Sequence, residues 1–187
     1  GDGVITPDDR TVTGSYFPDF TWGVTNRFSY KGLDFSFLIQ GVEGNEILNL
    51  TSRHLKNGEA NFNSYAVFND RWISEAEPGN GSIPRADRLS GNHGNNNRPS
   101  SFQVEDGSFV RLRNMTVGYT LPSDEIFGAD IKKLRFFVTG TNLFTKTDYL
   151  GFNPEVSARP NSNLTPGEDY GAYPLTKSFT FGLNLSF

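Results

Sequence analysis

Hydrophobic and polar residues alternate along this chain in five separated stretches. From Phe179 the alternation is strict: Phe179, Phe181, Leu183, Leu185 and Phe187 fall on one face of an extended chain, and Thr180, Gly182, Asn184 and Ser186 on the other. Period two is the mark of a β-strand. A strand needs about 9–11 residues to cross a bilayer. A closing strand with an apolar face, a small polar face and an aromatic last residue suits either an outer-membrane β-barrel or the last strand of a soluble sandwich.

Four more stretches predict strands. In Phe20 to Tyr30, Phe20, Trp22, Val24, Phe28 and Tyr30 share a face with Asn26. Lys31-Gly32 then makes a tight connection. In Leu33 to Gly41, Leu33, Phe35, Phe37 and Ile39 share a face, with Asp34, Ser36, Leu38 and Gln40 opposite. These two strands predict a hairpin. A third strand runs from Phe109 to Thr120, where Arg111 and Arg113 fall on the face of Met115, Val117 and Tyr119. That imperfect pattern predicts a bulge or a wet outer end. Leu121-Pro122 closes the strand. In the fourth, Leu134 to Phe144, Leu134, Phe136 and Val138 oppose Arg135, Phe137, Thr139 and Thr141.

The connections alternate in length. Residues 42–108 and 145–173 are long and weakly periodic, with a short helix expected near Ser64 to Ile73. The connections at Lys31-Gly32 and after Pro122 are short. Short periplasmic turns and long external loops are the habit of outer-membrane barrels, whereas long structureless loops are uncommon in compact soluble domains. If Phe187 ends on the periplasmic side, residues 1–19, 42–108 and 145–173 fall outside. Five strands cannot close a barrel that encloses anything, and an open edge in lipid is not viable. The expected fold is therefore all-β: five or so antiparallel strands at the C-terminal end of a larger transmembrane barrel, with residues 174–187 as its terminal strand.

Composition narrows the chemistry. Hydrophobic residues make up only 35%, yet aromatics reach 14% and Phe alone contributes 17 residues. No apolar run is long enough for a spanning helix; alternation hides the apolar content, as barrels do. The net charge of −4 argues against nucleic acid as a partner. The absence of cysteine excludes disulfides and thiolate metal sites. With only His54 and His93, little remains for His-centred catalysis or zinc. No nucleophile elbow or other spaced catalytic motif is present, so no enzyme is expected. The start at Gly1 cuts into a motif, which suggests a piece of something longer.

Several motifs, in order, carry a family resemblance. Gly1-Asp2-Gly3-Val4-Ile5-Thr6-Pro7-Asp8-Asp9-Arg10 opens the series, followed by Pro18-Asp19-Phe20-Thr21-Trp22-Gly23 and Gln40-Gly41-Val42-Glu43-Gly44-Asn45-Glu46. Arg71-Trp72 precedes Pro78-Gly79 and Pro84-Arg85. The most specific block is Glu105-Asp106-Gly107-Ser108-Phe109-Val110-Arg111-Leu112-Arg113-Asn114 through Gly118-Tyr119-Thr120-Leu121-Pro122, followed by Asn142-Leu143-Phe144-Thr145, Tyr149, Gly151 and Pro154-Glu155. Together they resemble the C-terminal barrel portion of SusC/RagA-type TonB-dependent outer-membrane transporters, along essentially the whole chain. The resemblance implies a barrel of about 22 strands around a plug, which imports oligosaccharides or peptides with TonB-derived energy. It also implies a SusD-like surface lipoprotein as lid, TonB acting through a plug region absent here, and barrel-assembly machinery that reads the terminal strand.

Each candidate site has two readings. Asp2, Val4, Thr6 and Asp9 have the spacing of the second half of an EF-hand-like loop, with Gly3 at the turn. Either Ca²⁺ or a plain acidic turn satisfies it. Arg71 and Trp72, with Phe62, Tyr65 and Phe68 nearby, offer a stacking surface for sugar rings or pack the loop against the barrel rim or the lid. Arg27, Arg111, Arg113 and Arg135 either line the lumen and meet substrate or pair with carboxylates. Phe179, Phe181, Leu183, Leu185 and Phe187 form the expected assembly signal. The Asn-X-Thr triplets at Asn49, Asn114 and Asn163 are chance matches in a bacterial setting. The competing whole-chain reading is a soluble carbohydrate-binding β-sandwich with Trp22 and Trp72 as platforms. A sandwich hydrolase would need a carboxylate pair on facing strands, where the strands offer only Asp34.

Overall fold

The computed structural model describes residues 6–56, 58, 63–86, 98–122, 131–158 and 164–186. The chain divides into a sheet unit (Pro18–Asn45, Gly107–Tyr149, Tyr173–Phe187) and a loop unit (Gly1–Phe17, Glu46–Asp106, Leu150–Ala172).

The sheet unit holds β1 (Phe20–Tyr30), β2 (Leu33–Glu43), β5 (Phe109–Leu121), β6 (Lys133–Thr147) and β8 (Ser178–Ser186). They form one antiparallel sheet in the order β1-β2-β5-β6-β8. Lys31 and Gly32 join the first pair with φ of 46° and 83°. Positive φ at both central residues is the hairpin turn whose twist matches the strands, and it fixes the register Tyr30↔Leu33.

That register carries the same faces across all five strands. Phe28, Phe35, Val117, Val138 and Phe181 lie in one cross-strand row, and Tyr30, Leu33, Tyr119, Phe136 and Leu183 in the next. This apolar face is open: Tyr30 is 69% exposed, Phe28 55% and Phe181 76%. The other face carries Arg27, Ser36, Thr116, Thr139 and Thr180 in one row, with the Thr116 and Thr139 hydroxyls 2.8 Å apart. Arg111 on this face is fully buried. The sheet is therefore inverted relative to a water-soluble one.

The expected irregularity in the third strand is a bulge. β5 skips Arg113 in its pairing with both neighbours, and β6 passes two residues, Asn142 and Leu143, at the same level. Asn142 has φ of 53°. The bulge shifts the parity of the strand. Leu112 therefore pairs with Ile39 and Phe144 on the apolar side, and Arg111 with Gln40 and Thr145 on the polar side. Uninterrupted alternation had placed Arg111 beside Met115; the extra residue reverses that.

The loop unit is folded where weak periodicity suggested plain loop. β3 (Glu46–Asn49) pairs antiparallel with β4 (Val104–Asp106) and parallel with β7 (Glu168–Asp169). A short helix, α1 (Leu50–Lys56), follows β3. Asn49 caps it, its Oδ1 accepting from the Ser52 N–H at 2.9 Å. The helix expected near Ser64 to Ile73 is a single 3₁₀ turn, Ala66–Asp70, and α1 itself was not anticipated. Ile47, Leu50 and Ile83 are buried here. The Glu105 carboxylate accepts from Lys56 Nζ at 3.2 Å, Asn49 Nδ2 at 3.3 Å and Leu150 N at 3.2 Å, tying β3, α1, β4 and the 150 segment together.

Candidate functional site

Three local structures of the loop unit shape a cavity. The first is the turn Pro7–Asp9, where proline sits at the first position and Thr6 caps the start. Thr6 Oγ1 accepts from Asp8 N at 3.2 Å, and Asp9 Oδ2 accepts from Thr6 N at 2.7 Å. This reciprocal pair satisfies donors a short helix would leave orphaned. The second is the segment around Trp72, whose N–H donates to Ile83 O at 3.0 Å. Asn80 Oδ1 accepts from Ser82 N at 2.8 Å and Ile83 N at 3.2 Å. Gly79, at φ of 64°, lets the chain pass the Asp70 and Arg71 carbonyls, where a Cβ would collide. The third is the turn Ser101–Gln103, closed by Ser100 N donating to Gln103 Oε1 at 2.7 Å.

The cavity between them is about 1350 Å³, and Asp9, Arg10, Trp72, Arg98 and Phe102 are among its lining residues. Two aromatic residues, two arginines and several serines and threonines line one space. Such a set can stack on a ring, hydrogen-bond to oxygen and attract an anion.

The sequence candidates are distributed unevenly over this geometry. Trp72 lines the cavity; Arg71 does not. The Arg71 guanidinium lies 5.1 Å from the Phe68 ring centroid, and its Nη1 donates to Phe68 O at 3.3 Å. Thr6 also lines the cavity, and its partner Asp9 serves as a cap. Asp2, Val4, Phe62, His93, Asn163 and Phe187 lie outside the described residues. Among the described residues no group of three or more His, Asp or Glu is close enough to hold a metal.

The strand arginines sit in the sheet unit. Arg111 donates from Nε to Thr145 Oγ1 at 2.9 Å and lies 4.7 Å from the Phe109 ring centroid. Arg113 occupies the bulge. Arg135 grips Asp34 with two hydrogen bonds, 2.8 Å from Nε and 2.6 Å from Nη2. The pair lies across Gly118, where any Cβ would strike both side chains. Arg135 is 5.0 Å from the Phe137 centroid, and the Phe137 ring in turn covers Gly182. Two glycines thus form the floor under a cation, an anion and a ring. One sequence signal pointed to this pair: Asp34 is the lone carboxylate of the five strands as read from alternation, although the observed β2 also ends on Glu43. Arg10 and Arg98 carried no such signal, because only the tertiary fold brings them together.

An open sheet with one continuous exposed apolar face, a polar face with a buried arginine and, among the described residues, two unpaired edges is a section of transmembrane β-barrel wall. No family model matches the chain. Over 190 residues it is 38% identical to TonB-dependent receptor P26 of Formosa agariphila, covering all of this chain and 19% of that protein. It is also 38% identical over 191 residues to TonB-dependent receptor P3 of the same organism, covering 18% of it, and 25% identical over 191 residues to TonB-dependent receptor SusC of Bacteroides thetaiotaomicron, covering 17%. The solved RagAB peptide transporter superposes with a TM-score of 0.76 at 24% identity, over 98% of this chain and 19% of that one. Along its whole length the chain is thus similar to part of the TonB-dependent receptors, SusC among them, and its fold is that of a piece of an outer-membrane β-barrel. It spans about one fifth of the length of the relatives it matches.

Proposed function

We propose that this chain supplies wall and external loops to an outer-membrane transporter that imports oligosaccharides with TonB-derived energy. The observation that carries the proposal is the single apolar face running through all five strands, with long connections only on alternate turns. On this reading the Lys31-Gly32 turn is periplasmic and residues 1–19, 42–108 and 145–173 are external. A SusD-like lipoprotein covers the mouth, and TonB acts through a plug contributed by another part of the protein. Phe179, Phe181, Leu183 and Leu185, all exposed on the apolar face, present the terminal strand to the assembly machinery. The acidic segment from Asp2 to Asp9, of which only Thr6 to Asp9 lie within the described residues, is read as an acidic turn, with Ca²⁺ as the alternative. Peptides are the second cargo class, favoured by the likeness to a peptide transporter.

An antibody raised against residues 71–85 tests this by fractionation of the source cells. A band several times larger than 20.8 kDa in the outer membrane is expected, together with loss of oligosaccharide uptake when the coding segment is deleted. A soluble band near 20.8 kDa would overturn the proposal and restore the carbohydrate-binding sandwich.

A further inference from the structure

We propose that Asn80 is a site of self-modification in the folded protein: its side-chain amide reacts with the following backbone nitrogen and ends as aspartate or isoaspartate. The step is an acyl transfer that consumes only water. The Gly81 nitrogen attacks Asn80 Cγ, its proton passing through solvent to the departing Nδ2. A C–N bond forms and closes a cyclic imide, and the Cγ–Nδ2 bond breaks to release ammonia. Water then opens the imide. Opening at Cγ leaves aspartate; opening at the backbone carbonyl leaves isoaspartate, with the main chain running through the former side chain.

The nucleophile is open. Gly81 is exposed, and its N–H makes no hydrogen bond among the described residues. Its φ is 76°, and no atom lies within 4 Å of where a Cβ would stand. The electrophile is held and polarised. Asn80 N donates to Asp70 O at 2.9 Å, which anchors the backbone. Asn80 Oδ1 accepts from Ser82 N at 2.8 Å and from Ile83 N at 3.2 Å. Negative charge develops on that oxygen during the attack, and two backbone donors already point at it. Acyl-transfer sites stabilise a tetrahedral intermediate in this way. Nδ2, the leaving group, has no partner among the described residues, and Asn80 is exposed. Two other asparagines of the loop unit lack part of this set. Asn153 Oδ1 accepts from Glu155 N at 3.2 Å, but Pro154 follows and has no N–H to attack with. Asn49 Oδ1 accepts from Ser52 N at 2.9 Å, but Asn49 is buried and Leu50 begins α1. The product at position 80 gains a negative charge, and isoaspartate adds a methylene to the main chain and moves the oxygen that caps Ser82 and Ile83. Ile83 is buried and its carbonyl accepts from Trp72 N at 3.0 Å. The turn that seats Ile83 and Trp72 is therefore what the reaction loosens.

The test is to age the intact receptor that contains this segment in heavy-oxygen water at mildly alkaline pH. Samples are digested in acid, read by mass spectrometry and labelled with an isoaspartyl methyltransferase. The peptide carrying Asn80 is expected to gain one heavy oxygen and a methylatable isoaspartate about tenfold or more faster than those carrying Asn49 and Asn153. The native rate should equal or exceed that of the urea-unfolded receptor. A native rate below the unfolded one shows that the fold protects the amide and overturns the proposal, as does conversion of Asn153 at the rate of Asn80. Asn80→Ser keeps a capping oxygen and removes the amide, so it should show no conversion. After ageing, trypsin should cut more readily at Arg71 in the wild type and not in Asn80→Ser; equal cutting in both overturns the loosening of the turn.

Discussion

The two units of this chain obey opposite rules of burial. In the loop unit Ile47, Leu50 and Ile83 turn away from solvent, as in any water-soluble fold. In the sheet unit Arg111 is fully buried while Phe28, Tyr30 and Phe181 are open. The same hydrophobic effect produces both, because the apolar face of the sheet meets hydrocarbon rather than water. The difference teaches that exposure of large apolar groups reports the solvent a surface was built for, and not instability.

The comparison can be broken from either side. The largest effect is expected at Ile47→Ala, which removes a fully buried side chain between β4 and β7 and should cost the loop unit about 3 kcal/mol. Hydrogen exchange should rise across residues 46–56 and 104–106 and leave β5 and β6 protected. A global loss of protection would mean the two units fold as one. Phe181→Arg, on the apolar face of β8, should cost about 2–3 kcal/mol of barrel stability in lipid, read as loss of heat-modifiable mobility on gels. Thr180→Arg, one residue away on the polar face, should be far milder; equal effects would contradict the assignment of faces. Gly182→Ala sets a methyl against the Phe137 ring and should cost about 1–2 kcal/mol. Adding Phe137→Leu should restore most of it, and no recovery would show that the ring is not the obstacle. Asn49→Ala removes the cap of α1 and should cost about 1 kcal/mol, confined to the loop unit, visible as faster proteolysis near residues 50–56.

Legibility in the sequence follows the range of the interactions. The strands were readable because period two is local: Phe20–Tyr30 and its partner across Lys31-Gly32 agree with the observed register. The bulge was readable too, since Arg111 and Arg113 broke an otherwise regular face. Its effect on parity was not, because that depends on where the skipped residue sits between two neighbouring strands. In the loop unit the informative contacts are distant. β3 pairs with β4 across more than fifty residues and with β7 across a hundred and more, as in Leu48↔Val104 and Leu48↔Glu168. Strands of two to four residues are too short to show a period. The cavity gathers Arg10, Trp72 and Arg98 in the same way, which is why adjacent Arg71 and Trp72 read as a pair and yet separate in space.

The parallel pairing of Leu48 with Glu168 has a consequence for exchange between relatives. A recombination event that replaced only residues 46–106 would bring in a β3 without its own β7, and one that replaced only residues 150–172 would bring in a β7 without its β3. Segments far apart in the gene thus meet in one small sheet, and an exchange of both together keeps that pairing within one parent.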